Sequence, residues 1–201
     1  MTKGRESSMP PLDLWESFFD PGGILDALGC FAVCGDAVEF GCGYGTFTVA
    51  LAPRVFGTLY TLDIESTMVV ATADRARQEG IGNIVVEQRD FVSDGSGQPN
   101  QSVNFVMLFN ILHIEDPVSL LREAHRIVCD GGTVAVIHWR RDIDTPRGPS
   151  LDIRPRPEQC RDWAEQVGFQ FQGVRELPNS PWHWGLILKR RGPDIKSPAL
   201  G

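Results

Sequence analysis

Short apolar runs alternate along the chain with longer segments in which apolar residues recur every three or four positions. The short runs predict five successive strands, at 37–40, 58–62, 84–87, 103–109 and 133–138. The longer segments predict helices at 46–52, 66–79, 117–128 and 157–167. This alternation favours parallel strands joined by helical crossovers, and hence an α/β sheet.

The two ends of the chain add elements to this pattern. Asp20-Pro21 predicts the start of a short helix at 22–28, because Asp suits the cap position and Pro the first helical turn. Strands predicted at 169–177 and 184–189 are separated by a proline-rich turn and are expected to pair as an antiparallel hairpin. The fold class is therefore α/β: a mostly parallel seven-stranded sheet with helices on both faces and a C-terminal antiparallel hairpin.

Three parts of the chain are expected to behave differently. Residues 1–29 form an N-terminal segment and helix that is a candidate lid, residues 30–190 form the α/β domain, and residues 191–201 form a flexible tail. In the helix that starts at Pro117, an apolar side is expected to run through to Val128, after which Gly131-Gly132 turns the chain into the fifth strand.

Composition narrows the class of partner. A chain of 201 residues suits one domain, and a net charge of −7 argues against a partner held by bulk attraction to phosphate, such as a nucleic acid. No apolar run approaches the ~20 residues of a membrane span, and no signal peptide is recognisable. The five cysteines form no CxxC pair and fit thiols in a reducing cytoplasm, so no metal is expected.

A glycine-rich turn follows the first strand. Gly41, Gly43 and Gly45 give the spacing G-x-G-x-G, with Glu39 two residues upstream. Bare backbone at such a turn can approach a ligand closely, and this spacing differs from the G-x-G-x-x-G of dinucleotide-binding folds. The spacing therefore indicates a turn that passes close to a bound ligand, with an acid beside it.

An acid follows the second strand. Asp63 lies 22 residues beyond Gly41, close to the ~20 expected for a carboxylate that accepts two ribose hydroxyls. An Asp at this position can also cap the next helix, but the spacing favours the ribose role. The sequence therefore predicts a ligand that contains a nucleoside.

The order of these motifs resembles the class I S-adenosylmethionine-dependent methyltransferases. The stretch from Phe109 to Pro117, with Leu-Leu-Arg-Glu and Gly-Gly after it, is similar to the group that includes ubiquinone- and menaquinone-biosynthesis methyltransferases. The resemblance covers about 39–138 and implies a Rossmann-like fold, with S-adenosylmethionine as the cofactor. It also implies that Glu39 answers the cofactor's ammonium group, directly or through water, and that Asp90 accepts a hydrogen bond from the adenine amine, with Phe91 nearby. The implied cofactor contacts are Glu39, Gly41, Cys42, Gly43, Tyr44, Gly45, Asp63, Ile64, Asp90, Phe91 and Asn110.

The resemblance implies methyl transfer to an acceptor that the sequence does not identify. Asn110 begins Asn-Ile-Leu-His, not the Asn-Pro-Pro-Tyr of amino-directed DNA methyltransferases, so a small-molecule acceptor is expected. In-line transfer mainly needs positioning, and a base matters only for a hydroxyl or a protonated amine. His113 and His138 are candidate bases at strand ends, although each can equally be structural.

Other side chains near the predicted strand ends have open roles. Trp139 and the N-terminal aromatics Trp15, Phe18 and Phe19 either wall the acceptor pocket or pack in the core. Arg154 and Arg156 are candidates to clamp a carboxylate or phosphate, or else they pair with nearby acids or face solvent.

Three alternatives remain at this point. A nicotinamide-dependent oxidoreductase is opposed by the glycine spacing and by the absence of a Tyr-x-x-x-Lys pair. A non-catalytic relative would keep the cofactor site and serve as a partner-binding subunit. Thiol-assisted methylation of a metalloid would need Cys42, Cys129 and Cys160 to converge.

Overall fold

A computed structural model describes residues 9–192 of the chain. The α-helices are α1 (Leu12–Glu16), α2 (Pro21–Ala27), α3 (Thr46–Leu51), α4 (Ser66–Gln78), α5 (Pro117–Ile127) and α6 (Pro157–Gln166). The strands are β1 (Ala37–Phe40), β2 (Leu59–Asp63), β3 (Ile84–Gln88), β4 (Val103–Phe109), β5 (Val128–Trp139), β6 (Phe169–Arg175) and β7 (His183–Arg190). Short 3₁₀ helices lie at Ala52–Arg54 and Leu151–Ile153.

The seven strands form one sheet in the order β3-β2-β1-β4-β5-β7-β6. β1 to β5 run parallel, and β7 pairs antiparallel with both β5 and β6. The predicted α/β fold with its C-terminal hairpin is therefore confirmed. The strand order reverses between β1 and β4, which is where ligands gather in sheets of this kind.

Alternate side chains of the strands supply two hydrophobic cores. Met107 and Ile137 belong to the core on one face, together with residues of α2 and α3. Val106 and Val136 belong to the core on the other face, together with residues of α5 and α6. Because both faces are covered, the central strands are apolar almost throughout, as in other buried parallel sheets.

The junction between α5 and β5 differs from the prediction. α5 ends at Ile127, and Val128 already belongs to β5, which pairs with β4 from its first residue. Gly131 adopts φ +74° within this strand, where the register against β4 shifts. Residues on both sides of the two glycines pair with β4. The glycines therefore form an irregularity inside the strand and not a turn before it.

The N-terminal segment is continuous with the domain. Asp20 caps α2, as predicted, by accepting a hydrogen bond from the backbone N–H of Gly23. Phe18 and Leu25 are buried in the same core as the sheet residues, so Phe18 and α2 belong to the core of the domain. The residues before 9 and after 192, including most of the predicted tail, lie outside the described part of the chain. In the described range, none of the helices has both the length and the apolar character needed to cross a membrane.

Candidate functional site

A cleft opens at the carboxyl ends of β1, β2 and β4, where the strand order reverses. The cleft is partly open to solvent. Nine residues predicted to contact the cofactor line it: Glu39, Gly41, Cys42, Gly43, Asp63, Ile64, Asp90, Phe91 and Asn110. Residues from four parallel strands and their following loops thus meet at one site.

The glycine turn is held by backbone and side-chain bonds on both sides. Gly41, Gly43 and Gly45 all have positive φ, of 82°, 52° and 76°, which a glycine adopts without strain. The N–H of Gly43 donates to Asp63 Oδ2 at 2.9 Å, and the Thr72 hydroxyl of α4 donates to the Gly43 carbonyl at 2.9 Å. The backbone of the loop is therefore fixed at the wall of the cleft.

Glu39 is the most deeply buried acid of the cleft, with 3% of its surface exposed. Thr48 of α3 and Thr61 of β2 donate hydrogen bonds to its Oε2 atom, at 2.5 and 2.7 Å. Burial raises the pKa of Glu39 to about 7, although both hydroxyl donors favour the charged form, and the charge of Asp63 adds to the rise. A cationic group in the cleft would favour ionisation of this carboxyl.

Asp63 ends β2 and joins two parts of the site. Its Oδ2 atom accepts from Gly43, and its Oδ1 atom accepts from the backbone N–H of Glu65 at 3.0 Å. Burial raises its pKa, and the two backbone donors oppose that rise. Each carboxylate oxygen can accept more than one hydrogen bond, so a neighbouring pair of ligand hydroxyls can still be accepted.

Asp90 and Phe91 line the cleft beyond β3. Asp90 Oδ1 accepts from the backbone N–H groups of Val92 and Ser93, at 3.2 and 3.3 Å. Phe91 is buried and packs edge-on against Phe40, with ring centroids 5.3 Å apart. The turn after β3 is therefore ordered by its own acid, beside an apolar surface.

Two polar side chains of the cleft have no hydrogen-bond partner within residues 9–192. They are the hydroxyl of Thr46, at the start of α3, and the side-chain amide of Asn110, directly after β4. Buried polar atoms are nearly always paired, so groups left without a partner in a cleft fit a site that a polar ligand completes.

Tyr44 and Gly45, both predicted cofactor contacts, do not line the cleft. The Tyr44 hydroxyl donates to the carbonyl of Pro10 at 2.9 Å, and Gly45 packs against Thr72. A Cβ atom at Gly43 would lie 3.1 Å from Met9 Cε. The segment that precedes α1 therefore crosses the glycine turn.

The candidate bases His113 and His138 contact each other instead of lining the cleft. His113 Nδ1 lies 3.3 Å from His138 Nε2, and His138 Nδ1 lies 3.3 Å from the Trp139 carbonyl. His138 is fully buried, and burial holds its pKa well below the usual range. This geometry places His138 in the core under Trp184, with which it stacks.

The aromatic residues of uncertain role divide into two sets. Trp15 lines the cleft, whereas Phe18, Phe19 and Trp139 are buried in the core beside His183. Phe18 packs edge-on against Trp139 at 5.3 Å. Of the N-terminal aromatics, Trp15 thus lines the cleft, whereas Phe18 and Phe19 pack in the core.

Arg154 is buried and holds a loop together. It donates to the carbonyls of Arg140, Pro149 and Arg147 and to the Thr145 hydroxyl. Its guanidinium therefore has protein acceptors and is not presented to a ligand, whereas Arg156 is exposed.

The sequence missed several residues of the cleft. These are Met9, Thr46, Phe47, Val92, Phe109, Ile111 and Ile114. Thr46 directly follows the glycine turn, and the others are apolar residues whose exposure depends on packing. The three thiols needed for a metalloid site do not cluster: in the described range, no group of three His, Cys, Asp or Glu side chains is placed to hold a metal ion.

Comparisons with known proteins find related sequences and a related fold. A family model described as a methyltransferase domain matches residues 37–132. The chain is similar to the ubiquinone biosynthesis O-methyltransferases of Methylococcus capsulatus, at 24% identity over 72% of the chain and 67% of that protein, and of Pseudomonas aeruginosa, at 27% over 72% and 68%. A methyltransferase structure from Aquifex aeolicus superposes with a TM-score of 0.75 at 21% identity, covering 89% of this chain and 93% of that one, which supports the fold.

Proposed function

We propose that the chain is a class I S-adenosylmethionine-dependent methyltransferase and that it transfers a methyl group from S-adenosylmethionine to a small hydroxylated acceptor in this cleft. One observation carries the proposal. Glu39, Asp63 and Asp90 stand at the ends of three adjacent parallel strands and line one cleft together with polar groups that have no partner among residues 9–192.

Each acid suits a different part of the cofactor. We assign the ammonium group to Glu39, the ribose hydroxyls to Asp63 and the adenine amine to Asp90. The hydroxyl of Thr46 is a donor for the cofactor's carboxylate. Gly41, Cys42 and Gly43 give close backbone approach, and Ile64 and Phe91 give apolar contact. Tyr44 and Gly45 act through the shape of the turn.

When bound, S-adenosylmethionine supplies a methyl group that its sulfonium already activates. The protein's task is to hold the acceptor oxygen in line with that methyl group and to exclude competing water. The acceptor's proton leaves to solvent, because His113 and His138 bond to each other and do not reach the cleft. We infer positioning, and not a dedicated base, as the main contribution of the chain.

A small, neutral acceptor is supported by the walls of the cleft. Phe47, Phe109, Ile111 and Ile114 give part of the lining an apolar surface. The relatives are named ubiquinone biosynthesis O-methyltransferases, a name that denotes transfer to an oxygen atom of a small molecule. The net charge of −7 disfavours a nucleic-acid acceptor. We place the reaction in the cytoplasm, where the five free thiols would stay reduced.

We further propose that residues 9–17 act as a lid over the cofactor. Met9 and Trp15 line the cleft, and Tyr44 bonds to the backbone of Pro10. Glu16 forms an ion pair with Arg75 of α4. These contacts join the segment to the glycine turn and to α4, so it must shift for a cofactor to enter or leave.

Two measurements test the proposed function. Calorimetry should show binding of S-adenosylhomocysteine and no binding of NADH, and a screen with labelled S-adenosylmethionine should find a methylated product among hydroxylated small molecules. An Asp63→Ala variant is the control that loses cofactor binding. Binding of the cofactor without transfer to any pooled metabolite would favour the non-catalytic alternative, and binding of NADH would favour the oxidoreductase.

A further inference from the structure

A second pocket lies at the same edge of the sheet as the cleft. It forms where the loop after β5, the start of α6, the end of β6 and the start of β7 meet. β5 and β6 both run antiparallel to β7, so β5 and β6 end, and β7 begins, at the edge where β1 to β4 also end. Within residues 9–192, the pocket and the cleft have no lining residue in common. The pocket is therefore a separate site.

Four arginines line this second pocket. Arg140 and Arg141 directly follow β5, Arg156 directly precedes α6, and Arg175 is the last residue of β6. They come from three parts of the chain, so the fold and not a local run of sequence brings them together. Arg140 pairs with Asp142 through two bonds, at 2.6 and 3.0 Å. The other three arginines form no ion pair within the described range.

Two of these arginines are half-buried and bond only to backbone carbonyls in the part of the chain that the structure describes. The guanidinium of Arg141 donates to the Arg154 carbonyl at 3.3 Å. Arg175 donates to the carbonyls of Val174 and Gln172, at 3.1 and 3.5 Å. A guanidinium carries five N–H donors, so these bonds use a minority of them, and no carboxylate neutralises either charge. Both side chains therefore keep charge and donors for an anion.

The acids of the pocket offset this charge only in part. Glu158 and Glu176 also line it, but both are exposed, and neither pairs with an arginine among residues 9–192. Water screens an exposed carboxylate more strongly than a half-buried guanidinium. Because Asp142 and Arg140 neutralise each other, three cations face two screened acids, in a chain whose net charge is −7. The pocket is thus a local positive region on an acidic protein.

The lining also contains apolar side chains. They are those of Pro155, Pro157, Val174 and Trp184, and Val174 has 46% of its surface exposed. α6 begins at Pro157, so the positive end of its backbone dipole adds to the charge of the arginines. A ligand that carries an apolar body beside an anionic group can contact both kinds of surface.

We propose that this pocket binds a phosphate monoester, independently of the cleft. A phosphate dianion accepts hydrogen bonds on three oxygens that point in different directions, which suits guanidinium donors supplied by three parts of the chain. A carboxylate carries a single charge and two oxygens in one plane, so it uses fewer of these donors. Arg156, whose role the sequence left open, then belongs to this site and not to the methyl-transfer cleft.

Phenyl phosphate is a suitable probe, because it joins a phosphate to an apolar ring. Phenol lacks the charge, benzoate replaces the phosphate by a carboxylate, and inorganic phosphate lacks the ring. Each is titrated in a calorimeter into the full chain, with and without saturating S-adenosylhomocysteine. Arg141→Gln and Arg175→Gln each remove one cation of the pocket. Arg161→Gln is the matched control, because Arg161 lies on α6 outside the lining and pairs with Asp162.

We expect phenyl phosphate to bind more tightly than benzoate or inorganic phosphate, and phenol not to bind. Arg141→Gln and Arg175→Gln should each weaken its binding about tenfold, as the loss of a hydrogen bond to a charged group does, while Arg161→Gln should change it less than about twofold. Saturating S-adenosylhomocysteine should leave this affinity unchanged.

Four results would overturn the proposal. They are no binding of phenyl phosphate, equal binding of benzoate or inorganic phosphate, an equal loss in Arg161→Gln, and displacement of phenyl phosphate by S-adenosylhomocysteine. Displacement would place the anion in the cleft. Folding of each variant is checked by thermal unfolding, and either pocket variant alone is sufficient for the test. Failure of the protein to bind S-adenosylhomocysteine would count against the proposed function and leave the test of this second pocket intact.

Discussion

Replacing Glu39 by glutamine should make the stability of the protein less dependent on pH. The carboxyl accepts hydrogen bonds from Thr48 and Thr61 through one oxygen, and the amide oxygen of glutamine can accept the same two. The substitution therefore removes the charge while keeping the shape and these contacts. What it removes is the cost of ionising a buried acid.

The size of that cost follows from the pKa. Burial raises the pKa of Glu39 from 4.5 to about 7, which at about 1.36 kcal/mol per unit corresponds to about 3 kcal/mol. Between these two values the unfolded chain has released the proton and the folded chain retains it. The free energy of unfolding of the wild-type protein therefore falls as pH rises through this window, and it levels off above pH 7. Glutamine has no such loss.

Urea unfolding followed by tryptophan fluorescence at pH 5 and pH 8.5 measures the effect. We expect Glu39→Gln and the wild-type protein to differ little at pH 5, and the variant to be more stable by about 3 kcal/mol at pH 8.5. The difference in unfolding free energy between the two proteins cancels the pH dependence that other buried groups contribute. His183 is one such group, because burial lowers its pKa to about 3. Glu165→Gln, on the exposed side of α6, is the control. An equal difference at both pH values would refute the argument.

Three further predictions concern the cleft and a loop beside it. Thr46→Val keeps the side-chain shape and removes the unpaired hydroxyl, so S-adenosylhomocysteine should bind about tenfold more weakly in calorimetry while stability is unchanged; equal affinity would show that the hydroxyl does not contact the ligand. Burial alone would raise the pKa of Glu123, but hydrogen bonds from Arg126 and Ser96 lower it to about 2. The charged Glu123 therefore stabilises the folded protein above about pH 4.5, and this contribution is lost as pH falls toward 2. Glu123→Gln should cost about 1–2 kcal/mol at pH 7 in urea unfolding, and a similar loss at pH 2.5 would contradict this. Tyr44→Phe removes the bond to Pro10, so stopped-flow dissociation of S-adenosylhomocysteine should be severalfold faster if the N-terminal segment is a lid.

The strand ends were predictable because they depend on local pattern. The apolar run of β4 was predicted with the bounds that the structure shows, and β1 likewise. Once parallel strands are inferred, the residues after them must share one edge, which brings Glu39, Asp63 and Asp90 together without further information. The edge of the sheet at which the cleft lies thus follows from periodicity, whereas the choice of Asp90 as a site residue rests on the family resemblance.

Contacts between distant segments were not predictable in this way. Met9 lies over Gly43, and His113 meets His138, because helices and loops dock in particular orientations. The bonds of Arg154 to backbone carbonyls depend on the path of an irregular loop. A sequence shows that such residues can form hydrogen bonds, but it does not show which partners they have in the folded protein.

The same reasoning explains why three similar acids can take different tasks. Asp63 accepts from two backbone N–H groups and Asp90 from two others, whereas Glu39 is buried against two hydroxyl groups that bond to one of its oxygens. The charge of Asp63 also raises the pKa of Glu39, so an unliganded cleft holds its negative charges at a cost. A ligand that carries positive charge relieves that repulsion, whereas an anion increases it. The charges of the cleft therefore favour a cationic ligand over an anionic one, in addition to any hydrogen bonds that the ligand forms.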